Sequence, residues 1–148
     1  MRHNTKTRLW TFGLLALMAG TALADGPKTL DVTADDLTAA GVVGVTDVEP
    51  AVERFAPPVK YFRSPEKLSE ADAKKDCADC ADIIAVYAAE APTVPGWNAE
   101  KAQQFVKIGA RLQLRTYIPS TKRIVTVTAV SEQTMRKISR HLVDKFSR

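Results

Sequence analysis

Cys77-Ala78-Asp79-Cys80 is the one short motif in this chain with redox or metal potential. Two thiols at positions i and i+3 of a helix stand with their Cα atoms roughly 5 Å apart, inside the disulfide range. They are the chain's only cysteines. In an oxidising compartment they are therefore expected to pair with each other. Closing so small a ring stabilises by about 2 kcal/mol on the chain-entropy argument, which makes the bond a local pin. The alternative chemistry is thiol–disulfide exchange. Against it stand Asp76, Asp79 and Asp82. Like-charge repulsion with a thiolate raises the thiol pKa, the wrong direction for an activated nucleophile. Covalent haem attachment needs a histidine directly after the second cysteine, and residue 81 is alanine. A zinc site would need a second cysteine pair or more histidine than the chain offers. No cofactor and no metal are expected.

The remaining search for catalytic machinery is short. His141 sits beside Arg140 and reads as a solvated side chain rather than a base. No G-x-S-x-G nucleophile context accompanies it. Gly41-Val42-Val43-Gly44 lacks the lysine of a phosphate loop. The acids around Asp31, Asp35 and Asp36 lack the spacing and glycine of a calcium loop. No catalytic residue is assigned.

Charge is the other feature with chemical content. The 148 residues carry a net +4, with a pI of about 9.2. Residues 1–24 hold Arg2, Lys6 and Arg8, the apolar run 13–20, and Ala22-Leu23-Ala24 before Asp25. A basic n-region, a short apolar h-region and an A-x-A site in that order read as a secretory signal cleaved after Ala24. The apolar run is shorter than the ~20 residues of a membrane span. The expected mature chain holds 18 basic and 17 acidic residues. These are segregated: residues 25–100 carry 15 acids and 7 bases, and residues 101–148 carry 2 acids and 11 bases. The candidate partner-binding residues follow from that split. They are Arg111, Arg115, Tyr117, Lys122 and Arg123 near a hairpin, with Arg136, Lys137 and Arg140 on the last helix. Nucleic acid is scarce outside the cytoplasm, so another envelope protein is the expected partner, with anionic lipid or polymer as the alternative. A helix at 66–90 rich in acid is expected to neutralise part of the basic surface.

These residues need elements to hold them. Thr33 and Asp36 form a capping box for a short helix, about 34–40, stopped at Gly41. Residues 42–48 alternate as a short strand, Pro50 opens a short helix closed by Pro57-Pro58, and 59–62 are strand-like. Ser64-Pro65 is expected to open a long helix over 66–91. The alternative is a buried strand at 83–88 entered from the Cys77–Cys80 turn, since periodicity does not separate the two. Residues 92–97 are a loop, and Asn98 is expected to cap a helix from Ala99 to about Ala110.

The clearest pattern is a hairpin over about 111–130. Leu112, Leu114, Thr116 and Ile118 share one face, and a four-residue loop sets Thr116 opposite Val125, Leu114 opposite Val127 and Leu112 opposite Ala129. The other face carries Arg111, Gln113, Arg115 and Tyr117. Ser131 caps a final helix to about Phe146, with Met135, Ile138, Leu142 and Phe146 as its stripe.

The expected class is α+β, a small antiparallel sheet packed with helices, becoming βαββα over 83–146 if 83–88 is a strand. The expected organisation is a signal at 1–24, an irregular segment at 25–63 and a globular core at 64–148. Functionally this reads as an exported, periplasmic, non-catalytic binding or accessory module, with a thiol–disulfide redox protein as the alternative.

Overall fold

The computed structural model describes residues 31–48 and 59–148. The expected signal segment with its cleavage point after Ala24, and the expected helix between Pro50 and Pro57-Pro58, lie outside them. Among the described residues three α-helices and six strands follow in the order α1 (Ala34–Ala39), β1 (Thr46–Val48), β2 (Lys60–Arg63), α2 (Glu70–Asp76), β3 (Ile83–Glu90), β4 (Gln103–Ile108), β5 (Arg111–Ile118), β6 (Arg123–Ala129) and α3 (Glu132–Phe146). The class is α+β.

The strands form one antiparallel sheet in the order β1-β2-β3-β6-β5-β4. β4, β5 and β6 are a meander, and β3 returns beside its last strand. The 91–102 connection therefore has to pass β5 and β6 at one end of the sheet. It does so on the side away from α3. The Nη1 of Arg115 donates to the Pro95 carbonyl at 2.8 Å, and Gln104 Nε2 donates to that of Gly96.

The hairpin has the expected register throughout, with Leu112↔Ala129, Leu114↔Val127 and Thr116↔Val125. Its apolar face meets α3. Leu114, Ile118, Val125 and Val127 pack with Met135, Ile138 and Leu142, and with Leu37, Phe62, Ile84 and Val86. α1 docks on α3. Residues 31–48 and 59–63 thus contribute to the same core and the same sheet as the C-terminal half. Within this core the hydroxyls of Thr116 and Ser139 lie 2.6 Å apart and hydrogen bond across the strand–helix contact.

Capping explains the helix ends. Thr33 and Asp36 form the full capping box of α1, and Gly41 takes φ +94°, a conformation costly for any residue with a Cβ. Ser131 caps α3 by accepting from the Thr134 amide.

Two expected helices are replaced. The long helix over 66–91 shrinks to α2, capped by Ser69 rather than Ser64, and ends where Cys77 turns to extended backbone. Ser64 instead accepts from the Glu66 amide in a local turn. Residues 83–90 are the strand β3. Ile83-Ile84-Ala85-Val86-Tyr87 is rich in β-branched and aromatic residues, and pairing with both β2 and β6 satisfies its backbone on two sides. The helix expected at 99–110 is the strand β4, so the βαββα arrangement is not what forms: the order over 83–146 is four strands and then α3. Asn98 does use its side chain on a following amide, but in a turn, accepting from Glu100 N at 2.9 Å. The spacing of Phe105, Val106 and Ile108 fits a helical stripe. It also fits a strand that places Phe105 toward α3 and the other two on the opposite face.

Candidate functional site

Three places in the fold carry polar chemistry, and the residues singled out by sequence divide among them. The first is the disulfide turn. Cys77 and Cys80 are bonded, with Cα atoms 5.2 Å apart, across a one-turn 3-10 segment, Ala78–Cys80, between α2 and β3. The bridge therefore spans a turn and not a helix, at the point where the chain leaves α2 before entering the sheet. Beside it lies a cleft of about 490 Å³ lined by Arg63, Lys67, Asp79, Ala81 and Asp82. Arg63 closes one wall by pairing with Asp82 at 2.9 Å. Both cysteines are half-buried.

The second is the sheet face opposite α3. The register places Arg111, Gln113, Arg115 and Tyr117 of β5, Thr126 and Thr128 of β6, and Tyr87 of β3 together there. This is the outer face expected from the hairpin pattern, but much of it is buried. Arg115 is 6% exposed and Thr126 is 0% exposed. Two causes act together: β6 lies between long side chains on both neighbouring strands, and the 91–102 connection crosses the face. Arg115 is a strut, holding that connection through Pro95. Arg111 donates to the Ile83 carbonyl at 3.0 Å, across the width of two strands. Among the described residues, Arg115 Nε, Gln113 Oε1 and Thr126 Oγ1 are buried without a hydrogen-bond partner. The result is a polar seam of one donor, one acceptor and one hydroxyl able to do either in the sheet interior. Its sequence signal was present as Gln113, Arg115, Thr126 and Thr128 alternating with apolar residues. Alternation alone reads as a wetted face.

The third is the solvent side of α3. Arg136, Lys137 and Arg140 are exposed along it. Arg136 pairs with Glu132 at 2.7 Å and stacks on Phe105, 4.9 Å from the ring centroid. Lys137 and Arg140 have no ion-pair partner among the described residues. Lys122 stands exposed at the β5–β6 turn with φ +55°. That turn is tied to the end of α3 by Ser120 donating to the Phe146 carbonyl. Arg123 begins β6 opposite Ile118. The structure thus brings Arg136, Lys137 and Arg140 onto one surface, and sends Arg111 and Arg115 to another.

An ion pair joins the acidic and basic halves. Lys145 Nζ lies 2.8 Å from Asp36, and His141 Nε2 lies 3.4 Å away. Partial burial acts to raise the Asp36 pKa. The hydrogen bond from Lys145, the Thr33 amide and the lysine charge outweigh it and hold the carboxyl below its usual 3.8. The acid expected to neutralise the basic helix, over 66–90, is spent differently. Glu66 accepts from Ser131 and Thr134 at the start of α3, where a negative charge complements the helix dipole. Lys74 and Lys75 pair within α2.

Sequence reading missed Asp36 and Lys145 as partners, since they lie 109 residues apart and only docking of α1 on α3 joins them. Among the described residues, no group of three histidine, cysteine or acidic side chains converges as a metal site would require. No helix there is long and apolar enough to cross a membrane. Compared with protein-family models, curated proteins and solved structures, the chain matches none.

Proposed function

We propose that this chain is an exported, non-catalytic binding or accessory module whose exposed α3 surface docks on an acidic face of another envelope protein. The observation that carries the reading is the state of charge on that surface. Folding pairs Lys145 with Asp36 but leaves Lys137 and Arg140 facing solvent without an ion-pair partner among the described residues. Two positive charges of the basic half are thus left unpaired on the α3 surface, which supports a charge-steered contact. Exposed charge of one sign steers association and selects partners more than it stabilises a fold. A disulfide is compatible with an oxidising compartment such as the periplasm.

The test compares the wild-type chain with Lys137→Glu combined with Arg140→Glu, cross-linked in an envelope fraction at low and raised salt. A protein captured by the wild type, released by salt and lost in the double variant is the expected result. Identical capture by both chains would refute the reading.

A second reading rests on the disulfide turn, where Asp79, between the bonded Cys77 and Cys80, lines a cleft together with Arg63 and Lys67. In that reading the pair exchanges with substrate thiols. Incubation in glutathione buffers followed by alkylation and mass measurement decides it. Reversible cycling near the potential of the compartment supports exchange, and a bond inert to mild reductant refutes it.

A further inference from the structure

The two edges of the sheet are unlike. β1 has three residues, whereas β4 has six, Gln103–Ile108, with no proline within it. The hydrogen-bonding sides of β4 follow from its pairing. The Tyr117 amide donates to the Ala102 carbonyl, so 102 and 117 are a hydrogen-bonded pair, and such pairs alternate along an antiparallel ladder. Gln104, Val106 and Ile108 therefore turn their amides and carbonyls toward β5. Gln103, Phe105 and Lys107 turn theirs outward, where the described residues supply no backbone partner. A flat edge with unpaired donors and acceptors is a template for another strand.

We propose that a second copy of this chain pairs with β4 edge to edge, about a two-fold axis at Phe105, to give one continuous sheet across two protomers. The outward positions are symmetric about Phe105. The two-fold places Phe105 opposite Phe105, and Gln103 opposite Lys107 twice. Each pair exchanges two backbone hydrogen bonds. This register keeps every side chain on its own face of the sheet, as β pairing requires. Within β4 it sets no like charges directly opposite each other: the one charged residue, Lys107, meets a neutral amide, and the Arg136 stacked on each Phe105 near the axis is paired with Glu132 of its own protomer. Ile108, 48% exposed and among the largest exposed apolar residues, comes opposite Ala102 of the partner on the face away from α3. A second copy supplies this complementary stretch by symmetry alone.

Sedimentation velocity of the purified chain over a wide dilution series tests the proposal. A dimer–monomer equilibrium is expected. Lys107→Pro removes an outward amide without touching the β4–β5 ladder, and should raise the dissociation constant at least about tenfold, with unchanged circular dichroism. Gln103→Lys places lysine opposite lysine twice and should also dissociate the dimer. Adding Lys107→Glu to that variant should restore it. Within one protomer positions 103 and 107 are about 13 Å apart along the strand, so rescue reports pairing between chains. A wild-type chain that stays monomeric at the highest concentration overturns the proposal. So does a dimer indifferent to Gln103→Lys, or one that Lys107→Glu fails to restore.

Discussion

Asp36 and Thr126 show how single side chains in this fold are tuned by what surrounds them. Asp36 is held ionised by Lys145 and the Thr33 amide. A carboxyl whose folded pKa is depressed contributes stability that is present above its unfolded pKa and lost as pH falls through the folded value. Lys145→Met should therefore destabilise the chain by about 1 kcal/mol at neutral pH, the figure kept small because Lys145 is 36% exposed and screened. Denaturant titrations should show that difference shrinking as pH falls from about 4 through the lower folded pKa, below which Asp36 is uncharged in both states. Thr126 is the opposite case. Its hydroxyl is buried with no partner among the described residues, and an unmade buried hydrogen bond is a net cost. Thr126→Val keeps the shape and removes that cost, so the variant should unfold at higher denaturant, by about 1 kcal/mol. Loss of stability instead would show that the hydroxyl is satisfied in solution.

At the scale of elements, local signals decided where caps and turns fall, and neighbours decided strand or helix. The β4–β5 hairpin turns on Gly109-Ala110 with Gly109 at φ +60°. Glycine in the first of two loop positions is a type II′ signal, and it was available in the sequence as the mark of a hairpin at Ile108–Arg111. It was outweighed by a helical spacing that a two-sided strand also satisfies. The Ile83–Glu90 segment has no such marker. Its strand state follows from β2 and β6 flanking it, which no local pattern reveals. The Cys77–Cys80 bond sits in the turn before this strand and crosses no large loop. Replacing both cysteines by serine should cost about 2 kcal/mol on the entropy argument and leave the sheet intact. A full loss of circular dichroism signal at ambient temperature would show the turn to be required for β3 to pair.

For the whole molecule, the proposed export and the charge layout are what reach beyond the fold. The signal pattern ending at Ala24 leads to one direct measurement: mass spectrometry of the chain recovered from the periplasm of an expressing cell should show Asp25 as the first residue. A full-length chain retained inside the cell would remove the compartment on which the proposed function rests. The sequence by itself determined the features that depend on neighbours close along the chain. These are the capping box of α1, the Ser131 cap and apolar stripe of α3, the register of β5 against β6, and the uneven distribution of charge. The caps, the stripe and the register follow from spacing over about twenty residues or fewer, where periodicity and turn chemistry act directly, and the charge distribution is a count along the chain. Only the tertiary structure decided which face of the hairpin is wet, and which charges meet. Arg115 is buried because a connection from elsewhere crosses it, and Lys145 finds Asp36 because two distant helices dock. Burial and ion pairing are set by which surfaces meet in space, and a linear pattern does not encode that meeting until the sheet has assembled.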